Sequence, residues 1–281
     1  MRKRPSHLDT RSPEQIHEHY EIERELAGRL RGAAKAERRL LYRTLYDELF
    51  RRVPHHPQLT QKSSPAATAR EVRRQLGLLN RFLAPSTRFL EVGPGDCALS
   101  FAVAERVKWV YGVDVSDTIT RHAIAPSNFA LLTTDGSSID LAPDTVDVAY
   151  SNQLMEHLHP EDALDQLRNI FRVLVPGGRY VVVTPNRLSG PWDVTRYFDR
   201  VACGFHLKEY TVGDLRGLLQ AAGFRQVDAY VGARGLFMRV PTGLICGLER
   251  VLAALPDRIG WTVAHTTPVR ILLGMRIVAV K

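Results

Sequence analysis

Two rhythms of apolar residues divide the chain. Up to about residue 83 they recur at helical spacing: Ile16, Tyr20, Leu26, Leu30, Ala34, Leu41, Leu45 and Leu49, then Val72, Leu76, Leu79 and Phe82. Ser12-Pro13-Glu14-Gln15 reads as a helix start, with Ser12 as N-cap, Pro13 at the first helical position and Gln15 three residues after the cap. The spacing predicts helical material from there to about Arg52, broken near Gly28 or Gly32 and ended by Pro54-His55-His56-Pro57. Residues 1–11 lack such a pattern and read as disordered. A polar linker, Thr60 to Pro65, precedes another helix over about 66–83, closed by Pro85.

Beyond Pro85 short apolar runs alternate with helical segments. The pattern predicts strands at about 88–92, 109–114, 128–133, 146–151, 178–184, 224–232 and 271–280. Helices fall between them at about 97–107, 117–125, 160–174 and 211–222. This alternation points to an α/β fold with a Rossmann-like, seven-stranded, mostly parallel sheet and helices on both faces. An N-terminal helical extension or cap (1–65) precedes the main domain (66–281). The sixth and seventh strands lie too far apart for a hairpin turn, so 233–268 reads as a helical insertion with an apolar helix at 241–255.

Composition adds bounds. The chain has 281 residues, 44% of them hydrophobic, which is ample for a buried core. No apolar run approaches the length of a membrane span. The basic Met1 to Pro5 is not followed by the apolar segment of a secretory signal. Cys97, Cys203 and Cys246 show neither metal spacing nor a disulfide framework, which suits a reducing, cytoplasmic compartment. Residues 1–85 hold 18 Lys+Arg against 10 Asp+Glu, whereas residues 86–281 hold 20 of each. The whole net charge of +8 thus sits in the N-terminal part. An anionic partner and an Arg-rich solvated helix face both fit that bias, and its mixed charge favours the second.

The chemistry gathers at strand ends. Phe89-Leu90-Glu91-Val92-Gly93-Pro94-Gly95-Asp96 is an apolar strand running into a glycine turn, where a ligand can approach the backbone with no Cβ in the way. Ligands of open α/β sheets bind at the carboxyl ends of the strands, near the topological switch point. Tyr111-Gly112-Val113-Asp114 is a second strand ending in a carboxylate, nineteen residues after Gly95, able to accept from two ribose hydroxyls. Thr133-Thr134-Asp135-Gly136 ends the next strand with an acid that could accept from an adenine amino group.

Together these residues resemble the class I S-adenosylmethionine-dependent methyltransferases. The glycine loop is similar to that family's first motif, Asp114 to its ribose-binding acid and Asp135 to its adenine-binding acid. Val146 to Asn152 resembles its fourth strand, and Leu174-Val175-Pro176-Gly177-Gly178-Arg179 its turn into strand five. The likeness covers residues 70–232. It implies S-adenosylmethionine as cofactor, held by Glu91, Gly93, Gly95, Asp114, Val115, Asp135, Gly136 and Asn152. Cys97 departs from the pattern by replacing a third glycine. Glu156-His157 after strand four resembles the branch containing the ubiquinone-biosynthesis methyltransferases, as do Thr184-Pro185-Asn186 and Phe205 to Tyr210.

A hydroxyl or amine acceptor loses a proton on methylation, so a histidine near the methyl group would help. His157 is the first candidate and His206 the second. A structural hydrogen bond that fixes the loop is the competing role for His157. Trp192 and Tyr197 read as packing of a lid. Some small-RNA 2′-O-methyltransferases carry Glu-x-x-Glu-His and a later His that hold a metal. Here Gln153 replaces the first carboxylate, so no bound metal is expected.

The resemblance says little about substrate; the leading expectation is an enzyme that methylates a small molecule, a lipid-linked intermediate or a glycan precursor. RNA is the alternative acceptor, but the sequence has no recognised RNA-binding module. A NAD-binding oxidoreductase is disfavoured because Ala98 stands where the dinucleotide fingerprint wants its third glycine. A non-catalytic cofactor-binding protein would be expected to have lost these motifs. The apolar insertion could line a substrate pocket, form a dimer face, touch a membrane surface or pack as core. The helices at 14–52 and 241–255 together read as a cap over the active site, so deleting residues 1–60 is expected to spare cofactor binding and abolish turnover.

Overall fold

The computed structural model describes residues 9, 11–57, 59, 64–116, 124–233 and 235–281. The capping box forms as the sequence implies. Ser12 Oγ accepts from the Gln15 N–H, and Gln15 Oε1 accepts from the Ser12 N–H. It opens α1 (Pro13–Gly32), and the break falls between Gly32 and α2 (Lys35–Arg52). α3 (Pro65–Leu79) leads into β1 (Arg88–Val92). There follow α4 (Ala98–Ala104), β2 (Trp109–Asp114), β3 (Phe129–Thr133), β4 (Val146–Asn152), α5 (Pro160–Val173) and β5 (Leu174–Thr184). The chain ends with α6 (Val212–Ala221), β6 (Gln226–Ala233), β7 (Leu236–Pro241), α7 (Thr242–Ala254), α8 (Asp257–Ala264), α9 (Thr267–Leu272) and β8 (Met275–Val280).

The strands form one sheet in the order β3-β2-β1-β4-β5-β8-β6-β7. Strands β1 to β5 pair in parallel, while β8 runs antiparallel between β5 and β6. The expected count of seven is therefore one short. β7 pairs antiparallel with β6 from Ala233↔Leu236 to Asp228↔Pro241, so the insertion opens as a hairpin and becomes helical only afterwards. Gly235, at φ +86°, makes the tight turn possible. The final strand is also shorter than expected, because residues 267–272 coil into α9. The helix expected at 117–125 falls largely outside the described residues.

Alternation along the strands sends neighbouring side chains to opposite faces. Leu90, Ala149, Val182 and Ile277 pack in one core with side chains of α1, α2, α5 and α6. Phe89, Val148, Val181 and Val278 pack in another with α3 and α4. The N-terminal helices are thus joined to the sheet: Leu26, Leu30, Leu41, Leu45 and Leu49 share its larger core. Their polar fastening is Arg38, whose Nε and Nη2 donate to the two oxygens of Asp162 on α5 at 2.6 and 2.9 Å. The Tyr42 hydroxyl donates to the same carboxylate at 2.8 Å. Near the start of the chain, Asp9 and Arg11 are ion-paired and the Tyr197 hydroxyl donates to Asp9, so these two residues are ordered against expectation.

Candidate functional site

The glycine loop follows β1 at the switch point, where β2 lies on one side of β1 and β4 on the other. Gly93 (φ +74°) and Gly95 (φ +57°) both need the left-handed region. A Cβ on Gly93 would come within 3.2 Å of Leu154. Cys97, in the place of the third glycine, is itself at φ +58° and buried, which explains why a glycine suits that position. Asp114 ends β2 and locks the loop: its Oδ2 accepts from the Gly95 N–H at 3.2 Å and its Oδ1 from the Val115 N–H at 2.7 Å.

These groups face a cavity of about 430 Å³. Gly93, Gly95, Asp114, Val115 and Gly136 line it, five of the eight residues expected there. Gly136 lies at φ +92°, and a Cβ on it would come 3.1 Å from the Tyr42 ring. The other three lie elsewhere. Glu91 is buried beneath α4 and accepts from Ser100 Oγ at 2.6 Å. Burial pushes its carboxyl up to about 8, so it is neutral at physiological pH. Asp135 Oδ1 accepts from the Ser137 and Ser138 N–H groups, and its Oδ2 pairs with Arg39 at 3.1 Å. The strand-three carboxylate thus shapes its own loop, and Thr134, Gly136 and Ser138 face the cavity instead. Asn152 lines a small crevice beside Gln75 and Tyr150, and its buried Oδ1 lacks a hydrogen-bond partner.

Sequence reasoning missed the opposite wall. Tyr42, Arg43, Tyr46, Asp47 and Phe50 of α2 all line the cavity. Tyr42, Tyr46 and Phe50 follow each other at the same four-residue spacing as the core leucines 41, 45 and 49, so periodicity alone could not tell a ligand-facing stripe from a packing stripe. The α2 wall also revises the deletion expectation. Removing residues 1–60 would strip one side of the cavity and part of the core, so cofactor binding should not survive it.

His157 stands at the cavity's inner end. Its Nδ1 lies 3.0 Å from the Phe205 carbonyl oxygen and 2.9 Å from the Tyr46 hydroxyl. A carbonyl can only accept, so Nδ1 carries the hydrogen and Nε2 keeps the lone pair. Burial, with the positive charge of His206 nearby, lowers His157 to about 3. It is a neutral hydrogen-bond acceptor rather than a store for a proton. His206 is the reverse. Its Nδ1 lies 2.6 Å from Glu209 Oε1. Burial opposes its charge, but Glu209, Glu156 and Asp193 outweigh that and raise it to about 9. Already protonated at neutral pH, His206 does not fit the role of general base. Its charge offsets part of the burial cost of Glu156, which burial raises to about 7 and whose Oε2 accepts from Thr184 Oγ1.

A second chamber of about 290 Å³ shares Tyr46, Gln153 and His157 with the first. Trp192, Arg196 and His206 also line it, together with His19 and Glu23 of α1. Trp192 is 38% exposed, whereas Tyr197 is packed against Ile16 and Tyr20 in the manner expected of a lid. Among the described residues, two groups bring three potential metal-ligating atoms within 4.8 Å: His19, Glu23 and His56, and Glu156, His157 and His206. In the first, Arg11 Nη1 sits 2.7 Å from His19 Nδ1, a cation where a metal ion would add another. In the second, His206 Nδ1 donates to Glu209 and His157 Nδ1 to the Phe205 carbonyl, while the buried Glu156 Oε1 lacks a hydrogen-bond partner.

Comparison with known proteins gives partial likenesses to methyltransferases. Residues 90–182 match the model of a family described as a methyltransferase domain. A probable S-adenosylmethionine-dependent methyltransferase of Mycolicibacterium smegmatis is 31% identical over 140 residues, 50% of this chain and 52% of that protein. An uncharacterized methyltransferase of Mycobacterium bovis is 31% identical over 121 residues, 41% of this chain and 59% of that one. The chain thus spans between half and three-fifths of the length of these relatives. Among solved structures, a SAM-dependent methyltransferase from Archaeoglobus fulgidus superposes with a TM-score of 0.50 at 18% identity, covering 75% of this chain and 94% of that one. A chain of the complex between the Haloferax volcanii Trm112 activator and a methyltransferase superposes with a TM-score of 0.53 at 15% identity, covering 76% and 92%. These likenesses establish a Rossmann-like fold shared with those structures.

Proposed function

We propose that the chain is an S-adenosylmethionine-dependent methyltransferase that binds its donor in the larger cavity and its acceptor in the second chamber. The observation that carries this reading is the pairing of Asp114 with the glycine loop on a cavity that shares His157 and Tyr46 with a second chamber. The residues suit the donor. Gly93, Gly95 and Gly136 line the cavity with backbone, a Cβ on Gly93 or Gly136 would crowd Leu154 or Tyr42, and Asp114 offers a carboxylate to ribose hydroxyls. About 430 Å³ is within the usual size of a small-molecule site.

When bound, S-adenosylmethionine would supply an activated methyl group, transferred in line to the acceptor with S-adenosylhomocysteine as the leaving group. The chain's own part is positioning. His157 offers a bare Nε2 to an acceptor hydroxyl or amine, and Tyr46 with the Phe205 carbonyl fixes its ring. A base of that weakness favours an acceptor that is already anionic or readily loses its proton. The acceptor class we favour is a small molecule or a lipid-linked precursor. Against RNA, part of the N-terminal basic excess is held in ion pairs: Arg24 with Glu21, Arg29 with Glu48, Arg38 with Asp162 and Arg52 with Glu25.

The test is turnover. The protein, incubated with methyl-labelled S-adenosylmethionine and a fractionated cell extract, should transfer label to the small-molecule or lipid fraction. Label found only in RNA, or transfer undiminished by Asp114→Ala, would refute the reading.

A further inference from the structure

We infer that residues 236–272 form a docking face for an anionic lipid surface. Of the twelve large apolar side chains exposed among the described residues, seven fall in this stretch. Leu236 and Met238 on the edge strand β7 are 80% and 73% exposed. Leu244 and Val251 on α7 are 67% and 61% exposed, and Ile259 on α8 is 52% exposed. Leu244, Gly247, Val251 and Ala254 follow at intervals of three and four residues, so they share one outward helix face. No packing on the described chain accounts for that face, since α7 buries the opposite one through Ile245, Glu249 and Leu252.

Charge selects the occupant. The only acid of α7, Glu249, points inward, where it accepts from Asn186 Nδ2 and from the Val212 and Gly213 N–H groups. The stretch exposes Arg250, Arg258 and Arg270, with Arg239 paired to Asp228 of β6, but a single carboxylate of its own, Asp257. An apolar face fringed by arginines and nearly without acids complements anionic headgroups above acyl chains. No helix among the described residues is long and apolar enough to cross a membrane, so the contact is peripheral. The face adjoins the second chamber. The Arg270 guanidinium lies 5.4 Å from the Trp192 ring centroid, and Trp192 lines that chamber.

Vesicle flotation with the full chain tests this. Binding is expected to vesicles of phosphatidylcholine mixed with phosphatidylglycerol, weaker binding to phosphatidylcholine alone, and release by salt. Arg250→Gln should weaken binding about fivefold, the factor for one cation near an anionic surface. Leu244→Asp with Val251→Asp should weaken it more than about tenfold, from the loss of two apolar insertions. Both sites are exposed, so folding, checked by circular dichroism, should be unaltered. Absence of binding to the anionic vesicles, or binding indifferent to the double substitution, overturns the inference. So does light scattering that shows a dimer dissociated by that double substitution, which would assign the face to a second copy.

Discussion

Replacing Asp162 with Ala should loosen the N-terminal helices from the sheet. The Arg38 and Asp162 side chains are only 4% and 5% exposed. Burial alone would raise the Asp162 carboxyl, but Arg38 and Tyr42 outweigh it and hold it below the usual carboxylate range. Without Asp162, the buried guanidinium keeps the Ala33 carbonyl and the exposed Glu161 as partners. Breaking a buried pair from one side costs about 3–5 kcal/mol. For a chain of this size that corresponds to a fall in Tm of roughly 6–15 °C. Urea unfolding followed by circular dichroism reads the loss directly. The paired change Arg38→Met with Asp162→Leu removes both charges and should recover most of it, because apolar isosteres replace buried ion pairs at little cost. A loss below about 1 kcal/mol for Asp162→Ala, or a double variant as unstable as the single one, would refute the fastening role.

Further expectations concern protons and the α2 wall. Glu91 binds its proton more tightly in the folded chain (about 8) than in the unfolded one (4.5), so its contribution falls as pH rises between those values. Glu91→Gln should flatten that fall, a span of roughly 3–5 kcal/mol, in urea unfolding measured against pH. His56 has the opposite sign. Burial, with His19 nearby, lowers it from 6.5 to about 4, so its contribution is complete above 6.5 and lost as pH falls toward 4. His56→Gln should therefore narrow the gap between stabilities measured at the two ends of that window. Tyr46→Phe keeps the ring but frees His157 from its hydroxyl; kcat should fall about five- to tenfold with donor affinity nearly unchanged.

The sequence announced the glycine-loop side of the site more clearly than the α2 side and the second chamber. Glycines before a helix and an acid at the next strand end are local signals, and Gly93, Gly95 and Asp114 meet as their spacing implies. Asp135 shows the limit of such a signal: four serine groups and Arg39 within reach settle where its oxygens point. β7 was hidden because Leu236-Phe237-Met238-Arg239-Val240 has no strict alternation, although Gly235 ahead of it was a usable turn signal. Tyr46 and the α1 residues of the second chamber were illegible for another reason. Their function depends on docking across more than a hundred residues of sequence, as in the contact of Tyr46 with His157.

The central claim is that the Asp114 cavity binds the methyl donor, and calorimetric titration with S-adenosylhomocysteine tests it most directly. One molecule should bind per chain, and Asp114→Ala should weaken binding by about tenfold to a hundredfold, the loss of a charged acceptor for ribose hydroxyls. Absence of binding to the unaltered protein, or equal affinity in Asp114→Ala, would contradict the account.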